Sequence, residues 1–286
     1  MDYNWYPGHM KKAREAMDQD IRLIDVIIEL VDARIPLASM NPEIRNLSQG
    51  RGRVIILNKA DLADPAMNNA WKSYFKEQGI VAISLDSRSR NGMRAIEGAI
   101  QEAAKAKIER DRRRGILNRP LRAMIAGIPN VGKSTFINSY ARKAVAKTGN
   151  KPGVTKGKQW VRLTKTVELL DTPGILWPKI SDEAHGFHLA LIGTMNDDNL
   201  DKMDMACRFL KEMREGPNRT YWELVKEKYG LEDGMSDPEL LKTAAMQRLA
   251  LKSGGEPDME KAAAFILDDL RAGRIGQITL ERPKKL

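Results

Sequence analysis

The sequence has little of what secreted and membrane proteins are built from. It contains one cysteine, Cys207, in 286 residues, which excludes a disulfide framework and fits a reducing compartment. No apolar run approaches the ~20 residues of a membrane-spanning helix, and the N-terminus lacks the apolar core of a secretory signal. Hydrophobic residues still make up 42% of the chain, enough for a real core. We therefore expect a cytoplasmic protein with one large domain or two modest ones.

The charge of the chain is uneven. The net charge is +10, but residues 1–180 carry 32 basic and 18 acidic side chains (+14), whereas residues 181–286 carry 16 and 20 (−4). A basic half favours a polyanion as partner, and for this asymmetry nucleic acid is favoured over ordinary solubility charge.

A phosphate-binding loop is indicated by residues 127–135, which read GIPNVGKST and fit the pattern G-x-x-x-x-G-K-[ST]. An apolar run at 121–126 predicts a strand before the loop, and residues 135–142 predict a helix after it. A chance glycine-rich turn would need neither element. In this interpretation Lys133 reaches the β- and γ-phosphates and the Ser134 hydroxyl holds Mg²⁺.

Two further motifs bear on the base. Asp171 ends the apolar run 167–170 and opens DTPG, a position that helps to hold Mg²⁺ in Walker-B-like strands. Asn58-Lys59-Ala60-Asp61 ends the run 54–57 and fits N-K-x-D. A carboxylate at Asp61 can accept hydrogen bonds from N1–H and N2–H₂ of guanine, a pattern that adenine lacks. N-K-x-D alone is a weak signal, but with the other two motifs it favours GTP over ATP.

The order of these motifs is rotated. An ordinary GTPase has its phosphate loop first and N-K-x-D last, whereas here Asn58–Asp61 precedes Lys133. The runs at 25–31, 54–57 and 81–84 predict the last three strands of a GTPase sheet, and those at 121–126, 159–163 and 167–170 predict the first three. Because the termini of a compact domain often lie close together, a rotated order can keep the fold. The sequence therefore predicts an α/β, circularly permuted P-loop GTPase domain with a six-stranded sheet and flanking helices.

The chain closely resembles the ribosome biogenesis GTPase A family of bacteria and organelles. The motifs that carry the resemblance follow one another in the family's order: WYPGHM at 5–10, LVDARIP at 30–36, NKAD at 58–61, GIPNVGKST at 127–135, KPGVT at 151–155 and DTPGILWP at 171–178. The resemblance is dense over residues 1–180 and looser afterwards. It implies a GTPase domain over 1–178 and an all-α domain over 179–286 that accompanies RNA and ribosome binding, with helices expected near 184–192, 201–215, 220–229, 237–251 and 258–272.

The resemblance also implies a nucleotide site. Thr155 of the first switch would complete the Mg²⁺ shell with Ser134 and Asp171 and would sense the γ-phosphate. Asp86 and Ser87 stand where the base-contacting loop is expected, so that a backbone N–H there would contact guanine O6. The expected GTP-binding residues are Asn58, Lys59, Ala60, Asp61, Asp86, Ser87, Asn130, Val131, Gly132, Lys133, Ser134, Thr135, Thr155 and Gly174.

Ile175 stands where small GTPases place the glutamine that orients the attacking water. The resemblance points instead to His9, whose neutral imidazole can accept a proton or orient water. His9 could equally contact RNA or cap the helix that it begins. Asn130 resembles the asparagine of GTPases that bind K⁺ beside the phosphates, with its side-chain oxygen as one ligand; the alternative is an Asn that tolerates a tight turn.

The function implied by the resemblance is a GTP-hydrolysing assembly factor that binds the large ribosomal subunit or its precursor and leaves after hydrolysis. Its partners would be that subunit, with its rRNA and ribosomal proteins. We expect GTP hydrolysis that is slow alone and stimulated by the subunit, and a monomer that binds neither membrane nor DNA. The basic helical stretch 92–118, with Arg112, Arg113 and Arg114, is either a solvated linker or an RNA contact. The alternatives for the whole protein are an RNA-binding nucleotide switch or RNA chaperone with little turnover and, more distantly, a signalling GTPase.

Overall fold

The fold is that of a computed structural model, which describes residues 20–117, 119–140, 159–171, 182–194 and 200–284, except for the side chains of Arg90, Gln159 and Asp171. Six strands form one sheet in this part of the chain. They are β1 (Val26–Asp32), β2 (Gly52–Asn58), β3 (Val81–Leu85), β4 (Leu121–Ala126), β5 (Gln159–Arg162) and β6 (Val167–Asp171). All six lie where the apolar runs predict them, within one or two residues.

The sheet has the order β3-β2-β1-β4-β6-β5 and is parallel except for the β5–β6 pair. β1 and β4 are central neighbours, with Ile28 opposite Ile125, and every residue of β1 is buried. Burial on both faces explains why these strands read as continuous apolar runs. The α/β architecture is confirmed, and the pairing of β1 with β4 joins the two halves that the rotated motif order separates along the chain.

Five α-helices lie between the strands in the described ranges. They are α1 (Pro42–Leu47), α2 (Pro65–Glu77), α3 (Met93–Ala103), α4 (Lys105–Arg113) and α5 (Lys133–Tyr140). The sequence did not predict α1, which has six residues and begins with a proline after an Asn41 cap. The single helix expected over 92–118 is wrong, because the chain forms two helices that meet at Ala104.

No strand follows β6 in the described residues, which form helices, turns, irregular segments and one isolated bridge between Leu251 and Pro257. The helices are α6 (Glu183–Leu191), α7 (Lys202–Glu215), α8 (Trp222–Tyr229), α9 (Asp237–Gln247) and α10 (Met259–Arg271). Asp258 caps α10 by accepting from the Lys261 amide, and Gly273 follows the helix at φ +71°. The expected helical region is confirmed, whereas the boundary at 178/179 lies outside the described residues and stays a prediction. Among the helices that the structure describes, none has the length and apolarity to span a bilayer.

His188 of α6 lies between two carboxylates from other elements. Its Nε2 is 3.3 Å from Glu212 of α7, and its Nδ1 is 3.6 Å from Glu281. Burial lowers the pKa of His188, but the two glutamates outweigh that effect and raise the pKa to about 9. Glu281 also accepts from the backbone amides of Leu37 and Ala38, at 2.6 and 3.0 Å. The imidazolium therefore ties the helical region to the segment that follows β1.

We predict that stability falls as pH rises above neutrality. A histidine whose pKa is higher in the folded protein stabilises it fully below its unfolded pKa of about 6.5, and that contribution is lost as pH rises towards 9. The free energy of unfolding in urea should decline by up to about 3 kcal/mol over this window, and His188→Gln should remove most of the decline. His185→Gln, on the same helix, is the matched control and should keep it. An equal decline in His188→Gln would contradict the assignment.

Candidate functional site

The phosphate-loop motif lies at the carboxyl edge of the sheet, between β4 and α5. Gly127 and Gly132 have φ values of +154° and +101°. A Cβ on Gly127 would lie 2.6 Å from the Leu30 carbonyl oxygen, and one on Gly132 would lie 2.4 Å from Asn58 Nδ2. Both positions therefore require glycine for conformation and for space. The loop packs directly against the strand ends that carry the other motifs.

Lys133 is buried at the start of α5. Its Nζ donates to the carbonyl oxygens of Gly127 and Ile128, each at 2.9 Å. Nucleotide phosphates would replace these carbonyls as acceptors from Lys133, and their negative charge would face the full positive charge of the ammonium group. Ser134 and Thr135 follow in the first turn of α5, half-buried, where backbone amides and the helix dipole favour anions. The arrangement fits the phosphate and Mg²⁺ roles that the sequence predicts for these residues.

Asn58 joins three loops. Its Nδ2 donates to the Val131 carbonyl at 2.7 Å, and its Oδ1 accepts from the amide and hydroxyl of Ser87, at 3.1 and 2.6 Å. Lys59, at φ +57°, donates from Nζ to the Asn130 carbonyl at 3.0 Å. The structure thus brings N-K-x-D, the phosphate loop and the Asp86-Ser87 loop together, although they are far apart in sequence.

The carboxylate of Asp61 has a buried oxygen ready to accept. Its Oδ1 has no hydrogen-bond partner in the described part of the chain. Its Oδ2 accepts from Arg88 Nη2 at 2.5 Å, and Arg88 also pairs with Asp86 at 3.1 Å. A buried acceptor without a donor is costly, and guanine N1–H and N2–H₂ are donors of the right kind. The base role predicted for Asp61 fits this geometry.

The structure limits which donors of the Asp86-Ser87 loop could make the expected contact with guanine O6. The Ser87 amide and hydroxyl are both engaged by Asn58, and the Arg88 amide donates to Asp86 Oδ1 at 2.9 Å. Ser87 therefore acts here as a support for Asn58. The O6 contact stays a prediction for this loop.

Asn130 has φ +59°, so the turn alternative accounts for its backbone. Its side-chain Nδ2 donates to the Gly193 carbonyl at 3.3 Å, which orients the amide. This contact joins the phosphate loop to the segment after α6. The K⁺ role of the side-chain oxygen is not decided by these contacts.

Asp32 and Arg34 are neighbours of the site that the motif analysis did not assign to any chemistry. Asp32 is fully buried and accepts from Arg34 Nε and Nη2, each at 2.9 Å, while Lys59 Nζ lies 3.1 Å away. Burial raises the pKa of Asp32, but these two cations outweigh it and lower the pKa well below its usual range. The signal was present in the sequence, because strand ends of a parallel sheet meet at one edge and Asp32 pairs in register with Asn58.

Among the predicted site residues, one is described only by its backbone and three lie outside the described residues. β6 ends at Asp171, whose backbone pairs with Ile125 of β4, two residues before Gly127 of the phosphate loop. This location fits a Walker-B-like position. The side chain of Asp171 is not described. His9, Thr155 and Gly174 lie outside the described residues, so their roles stay predictions.

Comparison with known proteins identifies the family. The family model described as "50S ribosome-binding GTPase" matches residues 122–221. That match starts at β4 and the phosphate loop, and N-K-x-D lies before it in the chain. Ribosome biogenesis GTPase A of Bacillus cereus is 44% identical over the whole chain and 95% of that protein, and the Thermotoga maritima protein of that name is 31% identical over 99% of this chain and 95% of its own.

Two solved structures agree with the fold. The GNP-bound YlqF of Thermotoga maritima aligns with a TM-score of 0.64 and 28% identity, over 96% of this chain and 100% of that one. The GDP-bound form aligns with a TM-score of 0.62 and 27% identity, over 94% and 100%. The predicted fold, a circularly permuted GTPase sheet with a helical C-terminal region, is therefore confirmed. With full-length relatives above 40% identity, the chain belongs to the ribosome biogenesis GTPase A family.

Proposed function

We propose that the protein is a GTP-hydrolysing assembly factor that binds the large ribosomal subunit or its precursor and is released after hydrolysis. The observation that carries the proposal is the joining of the guanine and phosphate motifs through the Asn58–Val131 hydrogen bond. With it goes a buried Asp61 oxygen that has no partner among the described residues. The names of the family model and of the full-length relatives supply the ribosomal context.

The chemistry follows from the positions of these groups. Lys133 would exchange its loop carbonyls for the β- and γ-phosphates and stabilise the charge that develops between them. Ser134, Asp171 and Thr155 would supply the hard oxygen ligands that suit Mg²⁺, and that ion would neutralise phosphate charge. The Asn130 side-chain oxygen is proposed as one ligand of K⁺.

Asp61→Asn should convert the base preference from guanine to xanthine. The amide can donate to O2 of xanthine but cannot accept two N–H groups from guanine. We expect GTP affinity to fall at least 100-fold and that of xanthosine triphosphate to rise, measured with fluorescent nucleotides. Asp268→Asn, an exposed aspartate of α10, is the matched control. Unchanged GTP affinity in Asp61→Asn would rule out the base role.

The surface charge favours RNA as part of the ribosomal target. Arg112, Arg113 and Arg114 are exposed at the end of α4. Next to them, a cleft of about 670 Å³ lies at the amino edge of the sheet, opposite the nucleotide motifs. Five cationic residues line it, of which Lys107 and Arg119 pair with Asp25; the five are Arg22, Arg51, Lys107, Arg110 and Arg119. A target held at this edge would leave the nucleotide edge open.

Sedimentation with purified ribosomal subunits tests the function. The protein with a non-hydrolysable GTP analogue should pellet with large subunits and not with small ones, and binding should weaken steeply with salt because phosphate contacts release counterions. Replacing Arg112, Arg113 and Arg114 together by Gln should lower the slope of log affinity against log salt by about 2. The control with the same charge change is Lys202, Lys211 and Lys252 to Gln. An unchanged slope in the arginine variant would return this run to a solvated linker, and absence of large-subunit binding would reject the function.

His9 is proposed to supply the group that orients water in place of the missing glutamine. The chain enters β1 at the amino edge, and the strand spans about 20 Å to the nucleotide edge. His9 precedes Asp20 by 11 residues, a length that covers about 16 Å as a helix and up to roughly 38 Å when extended. An extended tether is therefore long enough for His9 to reach the phosphate loop, whereas a fully helical one is too short.

We expect His9→Ala to bind GTP and subunits nearly normally but to lose about 10²–10⁴-fold of the subunit-stimulated hydrolysis rate. The slow rate without subunits should change little. Single-turnover hydrolysis in K⁺ buffer at saturating large subunits measures both rates, and His185→Ala serves as the control. Equal stimulated rates for His9→Ala and the unmodified protein would remove His9 from the mechanism.

A further inference from the structure

The base-recognition loop is held by residues of the helical region. Residues 277–281, called the tail, run alongside residues 34–38 and 61–71. Ile278, Thr279, Leu280 and Glu281 are buried. The tail's hydrogen bonds are Gln277 Nε2 to the Asp61 carbonyl at 3.0 Å, the Ile278 amide to the Leu62 carbonyl at 3.2 Å, the Asp64 amide to Thr279 Oγ1 at 3.1 Å, the Leu280 amide to the Arg34 carbonyl at 2.8 Å and Trp71 Nε1 to the Glu281 carbonyl at 3.3 Å.

The other side of the tail is attached to the helical bundle. Asn218, fully buried after α7, donates to the Leu280 carbonyl at 2.9 Å and to Glu212 at 2.5 Å. His188 links Glu212 to Glu281 as described above. A displacement of α7 therefore moves the tail, and a displacement of the tail moves the backbone from the Asp61 carbonyl to Asp64.

A second connection runs through Asp32. This carboxylate holds Lys59 on one side and Arg34 on the other. Arg34 is 2% exposed and donates from Nη1 to the carbonyls of Leu270 and Arg271, at 3.3 and 3.1 Å. These carbonyls end α10, where a cation is favourable to the helix dipole. Two residues of the guanine motif, Lys59 and Asp61, thus each depend on groups from beyond residue 269.

We propose that the tail and the Asp32–Arg34 pair are positioning elements for guanine recognition, so that the attachment of the helical region sets the affinity for guanine nucleotides. The inference rests on the base role of Asp61 given above. It adds a base-side connection to the contact that Asn130 of the phosphate loop makes with the Gly193 carbonyl after α6. Because coupling free energies are reciprocal, a partner that binds the helical region with the tail displaced must weaken nucleotide binding, and bound nucleotide must tighten the tail.

The test is a double variant, Gln277→Ala with Thr279→Val, which removes two hydrogen bonds to the loop and little volume. We expect release of fluorescent GDP to accelerate about tenfold. The ratio of GDP to IDP affinity should also fall, because inosine lacks the 2-amino group that a well-placed Asp61 would accept from. A variant that was only less stable would lower the active fraction but would keep the ratio. Thr279→Ser, which keeps the hydroxyl, should show the GDP release rate and the GDP to IDP ratio of the unmodified protein. The matched control is Gln101→Ala with Thr243→Val, on α3 and α9.

Two further measurements keep the proposal falsifiable if the double variant folds poorly. Arg34→Lys keeps the charge but loses the two-pronged contact with Asp32, and it should change the GDP to IDP ratio in the same direction. In the unmodified protein, GDP should slow hydrogen exchange at the amides of Ile278 and Leu280. Normal release and an unchanged ratio in folded tail variants, or exchange at these amides that ignores GDP, would overturn the inference. If Asp61→Asn instead leaves base preference unchanged, it is the base role itself that fails.

Discussion

A single buried carboxylate, Asp32, carries a large share of the organisation of this molecule. It has no exposure to solvent and is neutralised by two cations, Lys59 and Arg34. A buried charge is tolerated only with such partners, and removal of either would leave a residual charge in a medium of low polarity. One cation belongs to the guanine motif and the other to the junction with α10. The requirement for neutrality therefore forces these two parts of the chain to keep their relative position.

The sequence predicted the sheet well because its strands are buried on both faces and carry continuous apolar runs that need no long-range information. It also predicted which motifs meet, since the carboxyl ends of parallel strands gather at one edge. The contacts of the tail could not be predicted in this way. Residues 277–281 form no regular helix or strand, and Gln277 is 216 residues from its partner Asp61. A short irregular segment with a partner that distant leaves no periodic signal.

Local details failed for equally physical reasons. The helix expected over 92–118 contains no proline, yet it divides at Ala104, where the apolar α3 with buried Ile96 and Ile100 gives way to α4, which buries no residue. One face of α3 packs on the sheet, whereas α4 takes a different direction. A backbone N–H of the Asp86-Ser87 loop was expected to contact guanine O6, which stays a prediction, whereas the role of Ser87 in holding Asn58 was not foreseen. A hydroxyl and a backbone amide are compatible with either role, so only the neighbours decide.

The pairing of β1 with β4 has a consequence for the birth of the protein. β1, β2 and β3 are translated before β4 exists, so the guanine motif is made while the centre of the sheet still lacks its neighbour. Central pairing joins residues about a hundred positions apart, such as Ile28 and Ile125, and such distant contacts fold slowly. The nascent chain therefore carries an unprotected β1 edge through the synthesis of α3 and α4. In this permuted order, the half that carries N-K-x-D is synthesised before the half that carries the phosphate loop.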